Sequence, residues 1–152
     1  MAVTLRPATS ADAGELADLY LRSRSELASY APLAHTDASV RDWVANVLVP
    51  SGDVTVAVDH GTIVGMAARS EADGVVWLDQ LYVCPSVKHC GIGTLLLNSV
   101  TSRTRLPVQL YTFAMNRAAA AFYERHAFVA IAHRDGSSNE EGCPDVLYRL
   151  AR

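Results

Sequence analysis

Apolar positions along this 152-residue chain recur at two spacings, and the switches between them outline a succession of strands and helices. Val3–Pro7 reads as a first strand. Leu16, Leu19 and Tyr20 then fall at helical spacing, which predicts a helix capped by Thr9 or Ser10 and running to about Arg24. Residues 25–36 carry no clear period, and Ala31-Pro32-Leu33 interrupts any helix there. A second helix is expected from Asp37, taken as its cap, through Val40, Trp43, Val44 and Val47, with Pro50-Ser51-Gly52 as its stop. Val54–Asp59 and residues 63–70 read as strands joined by the turn Asp59-His60-Gly61-Thr62, with glycine where positive φ is wanted.

The second half alternates in the same way. Val75–Val83 is rich in β-branched and aromatic residues and ends at Pro85. A helix follows to about Arg103, and Pro107 introduces the strand Val108–Phe113. A helix over 116–126 precedes a terminal strand pair near 129–133 and 146–150, with Asp135-Gly136-Ser137-Ser138-Asn139 in the loop between. Repeats, linkers and low-complexity runs are absent from the sequence, and its length suits one domain over residues 1–152.

Chemistry concentrates at the junction Lys88-His89-Cys90-Gly91-Ile92-Gly93, which lies between the Val75–Val83 strand and the helix beginning near Thr94. A chain that leaves a strand through a glycine turn and enters a helix presents several unpaired N–H groups at one point. Those donors and the helix dipole favour a phosphate, each contact contributing roughly 0.3–1 kcal/mol in exposed settings. A dinucleotide fingerprint would need a third glycine after Gly91-Ile92-Gly93, where Leu96 stands. A Walker A loop would need Lys-Ser/Thr directly after the last glycine, where Thr94-Leu95 stands.

Val83-Cys84-Pro85 followed by Lys88-x-x-Gly91-x-Gly93 resembles the acyl-CoA signature of the GNAT superfamily of N-acetyltransferases, Q/R-x-x-G-x-G/A after a V-x-P strand end. Lys88 replaces the usual Gln or Arg, keeping a cation without the planar guanidinium fork, and His89 stands where glycine is frequent. The segment Asn116 to Phe128 resembles the later pattern of the same superfamily, N-x-x-A-x-x-[apolar]-Y-E-x-x-G-F, with Ala127 in the usual glycine position. Leu5 to Ala13 is similar to the superfamily's first strand and helix entry, so the resemblance covers nearly the whole chain.

The resemblance implies a single α/β (α+β) domain. Its central sheet would be mixed, mostly antiparallel and about seven-stranded, with about four helices and a splayed wedge between the fourth and fifth strands. It implies direct transfer of an acetyl group from acetyl-CoA to a primary amine of a small molecule or peptide, within a ternary complex. Leu81 and Val83 would pair with the pantetheine arm through main chain, and Lys88, His89, Cys90, Gly91, Ile92, Gly93 and Thr94 would cradle the pyrophosphate. Asn116, Ala119 and Tyr123 would border the arm, and the Tyr123 phenol would protonate the leaving thiolate as general acid. Asp79 and Glu140 are the candidate bases; by period two Asp79 should share a face with Trp77 and Leu81. Asn139, Glu140, Glu141 and Asp145 would form a negative rim for a cationic amine, and His35 falls in a segment that borders the acceptor in this superfamily. A noncatalytic acyl-CoA-binding module with the same cradle is the alternative.

Composition narrows these readings. Half of the residues are apolar and 19% are charged, as in a compact globule. A net charge of −3, with no lysine-rich run, argues against a nucleic-acid partner. The opening is polar too early for a signal peptide and no apolar run suits a membrane span, so a cytoplasmic protein, monomer or homodimer, is expected. The three cysteines fit reduced thiols, and Cys84 and Cys90, with five residues between them and no second pair, do not form a zinc pattern.

Overall fold

The computed structural model describes residues 2–152. Seven strands form one sheet: β1 (Val3–Pro7), β2 (Val54–Asp59), β3 (Thr62–Ala72), β4 (Val75–Val83), β5 (Val108–Phe113), β6 (Phe128–Arg134) and β7 (Asp145–Leu150). Their spatial order is β1-β2-β3-β4-β5-β7-β6, with β4–β5 the parallel pair and every other pair antiparallel. Four α-helices cover it: α1 (Ala13–Ser25), α2 (Asp37–Trp43), α3 (Ile92–Thr101) and α4 (Arg117–Arg125).

Local chemistry explains most boundaries. The α1 helix begins through a short 3₁₀ turn in which the Thr9 N–H and hydroxyl both donate to the Asp12 carboxylate, at 2.7 and 3.2 Å. Arg6 on β1 forks onto the same carboxylate at 2.7 and 2.9 Å, which ties strand to helix. The cap of α2 is Thr36 rather than Asp37: the Thr36 hydroxyl accepts from the Ser39 N–H at 3.1 Å. Capping needs extended backbone at the cap, which Thr36 has and the helical Asp37 lacks. Beyond Trp43 the helix widens to π geometry over Val44–Leu48 and tightens over Val49–Ser51 before Gly52 turns left-handed. The β2–β3 turn places both His60 and Gly61 at positive φ, 48° and 78°, as a two-residue hairpin requires.

The core lies on both faces of the sheet. Leu16, Leu19 and Val40 pack from α1 and α2, Val44 packs from the π segment that follows α2, and Ile92, Leu96, Leu97 and Val100 pack from α3. Burying each such aliphatic side chain is worth about 1.5–3 kcal/mol. Gly65 shows how closely α3 lies: a Cβ there would meet the Leu96 methyl at 2.9 Å.

One irregularity was invisible in the sequence. Ala68 pairs with Gln80 but Arg69 pairs with Leu78, so Asp79 is the extra residue of a β-bulge in β4. The bulge breaks the period of two. Leu81, opposite Ala67, therefore faces α3, whereas Trp77, opposite Ser70, faces the other side, so the two do not share a face.

Candidate functional site

The register between β4 and β5 creates the site. These strands pair at Val76↔Val108 and Trp77↔Gln109 and then separate, leaving the rest of β4 without a neighbour on that side. The Cys84 N–H bonds to the Val64 carbonyl on β3, and antiparallel main-chain groups alternate in direction. Tyr82 thus also bonds toward β3, while the N–H and C=O groups of Leu81 and Val83 point into the gap. A groove of about 790 Å³ occupies this wedge.

The glycine loop closes one end of the groove. Gly91 caps α3 at φ 81°, and the N–H groups of Ile92, Gly93 and Thr94 begin the helix with no protein acceptor among the described residues. His89 also adopts a left-handed backbone, φ 64°, so this histidine occupies a conformation that glycine adopts without strain. A Cβ at Gly91 would meet nothing within 4 Å, which leaves the backbone open to a ligand. Lys88 reaches across the groove to Glu26 at the end of α1, 2.5 Å away, so its charge is shared with a carboxylate at the mouth.

The α4 helix forms the other wall. Asn116 caps it, its side-chain oxygen accepting from the Ala119 N–H at 3.1 Å. Ala118 and Ala119 keep that wall low, and Tyr123 lies at its base, buried, with its hydroxyl unpaired among the described residues. Burial raises the Tyr123 pKa above the ordinary phenol value, so the ring stays protonated. Tyr82, on the β4 side, is raised for the same reason, with Tyr20 adding to the shift.

All the positions expected along the arm and cradle line this groove except Cys90, which is exposed with its thiol directed at the Lys88 carbonyl. The candidate bases are elsewhere. Asp79 is exposed at the bulge, its pKa raised by partial burial, and borders neither cavity. Glu140 lines a second, smaller cavity of about 260 Å³ on the α1–α2 side, where it pairs with His35 at 2.8 Å. The expected acidic rim is reduced to Glu140. Asp145 is buried in a fork with Arg134, Asn139 bonds its own loop at Cys143, and Glu141 turns inward toward Arg24 at 4.0 Å. Among the described residues, no three His, Cys, Asp or Glu side chains are grouped to hold a metal ion.

The sequence profile of the acetyltransferase (GNAT) family matches residues 15–128, which span β4, the glycine loop, the wedge and α4. The chain belongs to the GNAT family. Solved structures agree on the fold. This GNAT chain superposes on the apo form of YjaB from Escherichia coli with a TM-score of 0.77 at 20% identity, covering 99% of this chain and 98% of that one. It matches the PaiA N-acetyltransferase of Thermoplasma acidophilum, solved with coenzyme A, over 100% of both chains at TM-score 0.70 and 17% identity. Naa50 of Arabidopsis thaliana, solved with the bisubstrate analogue CoA-Ac-MVNAL, is matched over 100% of both chains at TM-score 0.74 and 20% identity. No curated protein sequence matches the chain.

Several groove residues of this GNAT domain carried no signal in the sequence. Arg117 and Arg125 lie eight residues apart on α4 and border the groove, adding two cations. His126 holds Thr94: its Nδ1 lies 2.8 Å from the Phe122 carbonyl, so that nitrogen carries the proton. In the neutral ring Nε2 then accepts from the Thr94 hydroxyl, 3.0 Å away. Only the fold brings α4 and the start of α3 together.

Proposed function

We propose that the protein transfers the acetyl group of acetyl-CoA directly to a primary amine of a small molecule or peptide. The observation that carries this reading is one groove with complementary chemistry along its length. It offers free N–H groups and cations at one end, outward main-chain groups of β4 in the middle, and a protonated phenol at its base. A diphosphate fits Ile92, Gly93 and Thr94 N–H with Lys88, Arg117 and Arg125 around it. A pantetheine arm, with its alternating amides, fits Leu81 and Val83 as an added strand.

Bound acetyl-CoA supplies a thioester whose carbonyl carbon the neutral amine attacks; the new C–N bond forms, the C–S bond breaks, and the sulfur leaves as thiolate. The Leu81 N–H donates toward the carbonyl oxygen as negative charge gathers there. The Tyr123 hydroxyl donates its proton to the departing sulfur, because it is protonated, free of other partners among the described residues and at the groove's base. The amine's surplus proton passes to water, since neither Asp79 nor Glu140 borders the groove. The wedge keeps both reactants on one track, so no acyl-enzyme is needed.

The test is free-thiol release from acetyl-CoA over a panel of small amines and short peptides, alongside calorimetric titration with coenzyme A. Saturable binding together with amine-dependent thiol release establishes transfer. Binding without release to any amine would instead mark an acyl-CoA-binding module.

A further inference from the structure

Histidine is the side chain whose charge ordinarily changes between pH 5 and pH 8, and a half-buried one, His126, borders the anion end of the groove. It is the C-cap of α4, and its ring is fixed on three sides. Nδ1 donates to the Phe122 carbonyl at 2.8 Å, Nε2 meets the Thr94 hydroxyl at 3.0 Å, and the Phe122 ring lies 4.5 Å away, centroid to centroid. Phe122 itself packs onto the glycine loop: a Cβ at Gly93 would come within 3.3 Å of its ring. Thr94 is the third residue of α3, so its hydroxyl belongs to the same turn as the free N–H groups of Ile92, Gly93 and Thr94.

We infer that His126 is a positioning residue for the diphosphate, acting through Thr94, and that it makes coenzyme A binding proton-linked. With the ring neutral, Nδ1–H is spent on Phe122 and Nε2 offers only a lone pair. The Thr94 hydroxyl then turns its single proton to His126, away from an anion. When the ring takes up a proton, Nε2–H becomes the donor and the Thr94 oxygen its acceptor, which frees the hydroxyl proton for a diphosphate oxygen. No heavy atom needs to move; the polarity of one hydrogen bond reverses. The added charge lies within cation–π range of Phe122. Arg117 and Arg125 from α4, Lys88 and His89 from the loop and Glu26 from α1 border the same space, with Tyr82 and Tyr123 deeper in the groove. Cys90 turns its thiol to the Lys88 carbonyl, and α3 carries no ionisable side chain. In the empty groove the cations oppose a further positive charge; an anion between them reverses that, so proton uptake accompanies binding. The inference rests on the acetyl-transfer reading only for the place of the coenzyme's diphosphate at α3.

The experiment is calorimetric titration of the full-length protein with coenzyme A at about pH 5.5 and about pH 8. A phosphate monoester on the ligand titrates in the same range, so the informative quantity is the ratio of the two dissociation constants in the parent against the same ratio in a variant, where the ligand's share cancels. The parent should favour the lower pH by about three- to tenfold more than His126→Gln, the gain of a charge-assisted hydrogen bond over a neutral one. Thr94→Val should lose the preference although His126 remains, and Thr94→Ser should keep it. His89→Asn should also keep it, whatever it does to affinity itself. Equal ratios in the parent and His126→Gln would overturn the inference, as would a preference that survives Thr94→Val or disappears in Thr94→Ser or His89→Asn. Binding without this proton linkage, with amine-dependent thiol release intact, strikes the inference and leaves acetyl transfer standing. Proton-linked binding without release to any amine does the reverse, and no saturable binding at either pH removes both.

Discussion

Tyr123 combines three properties at one atom: a buried ring, a hydroxyl without a protein partner among the described residues, and a pKa raised by burial. Tyr123→Phe keeps the ring and removes the proton. The expected outcome is a fall in kcat of about 10²–10⁴-fold with coenzyme A affinity within a few fold of the parent, read by thiol release and calorimetry. Unchanged turnover would remove Tyr123 from the mechanism. Because the phenol's pKa is raised, its ionisation does not produce an alkaline loss of activity near pH 10. Lys88 offers a second test. Its partner Glu26 places negative charge at the mouth of a phosphate site, and both side chains are partly exposed, at 44% and 40%. Glu26→Gln should therefore tighten coenzyme A binding by up to about fivefold and steepen its salt dependence, as an exposed ion pair is worth about 0.2–1 kcal/mol. The types of these residues were readable from motifs. The Glu26–Lys88 bridge was not, because 62 residues separate the partners.

Elements carry their own strain. At the end of α4, Ala127 takes φ 67°, a conformation costing a residue with a Cβ about 1–2 kcal/mol, and the motif's usual residue there is glycine. Ala127→Gly should raise the melting temperature by about 2–4 °C, part of the gain being offset by the greater entropy of glycine in the unfolded chain. In the β6–β7 loop the sign reverses. Gly136 lies at φ 97°, and a Cβ there would come within 2.7 Å of the Cys143 backbone. Gly136→Ala should lower stability by about 2 kcal/mol or more in denaturant titration, and a neutral result would mean the loop rearranges freely. Strand and helix positions were legible because hydrophobic period and turn residues agree with the fold. The bulge at Asp79 was not, since the run from Val75 to Val83 shows no glycine or break. Partial burial raises the Asp79 pKa there, yet the bulge leaves its side chain outside both cavities.

Two carboxylates tie the whole molecule together. Asp12 joins α1 to β1 through Arg6, whose hydrogen bonds lower its pKa from 3.8 to about 2, and Asp145 is lowered in the same direction by its fork with Arg134 on β6. A carboxylate depressed in the folded state contributes stability above its unfolded pKa and loses it as pH falls through the folded one. Stability should therefore decline between about pH 4 and pH 2, and Asp12→Asn should flatten that slope in thermal scans across pH. An unaltered slope would discard the linkage. At this scale the division of labour is plain. The sequence alone determined the succession of strands and helices, the anion-favouring turn at Gly91 and Gly93 and the phenol at position 123, since each depends on residues close in the chain. Only the tertiary structure decided the rest: which strands part, which face Leu81 takes, and that Glu140 meets His35 beside a separate aromatic cavity while Asp79 lies outside it. Those outcomes arise from pairing register and from contacts between distant segments, which local periodicity does not encode.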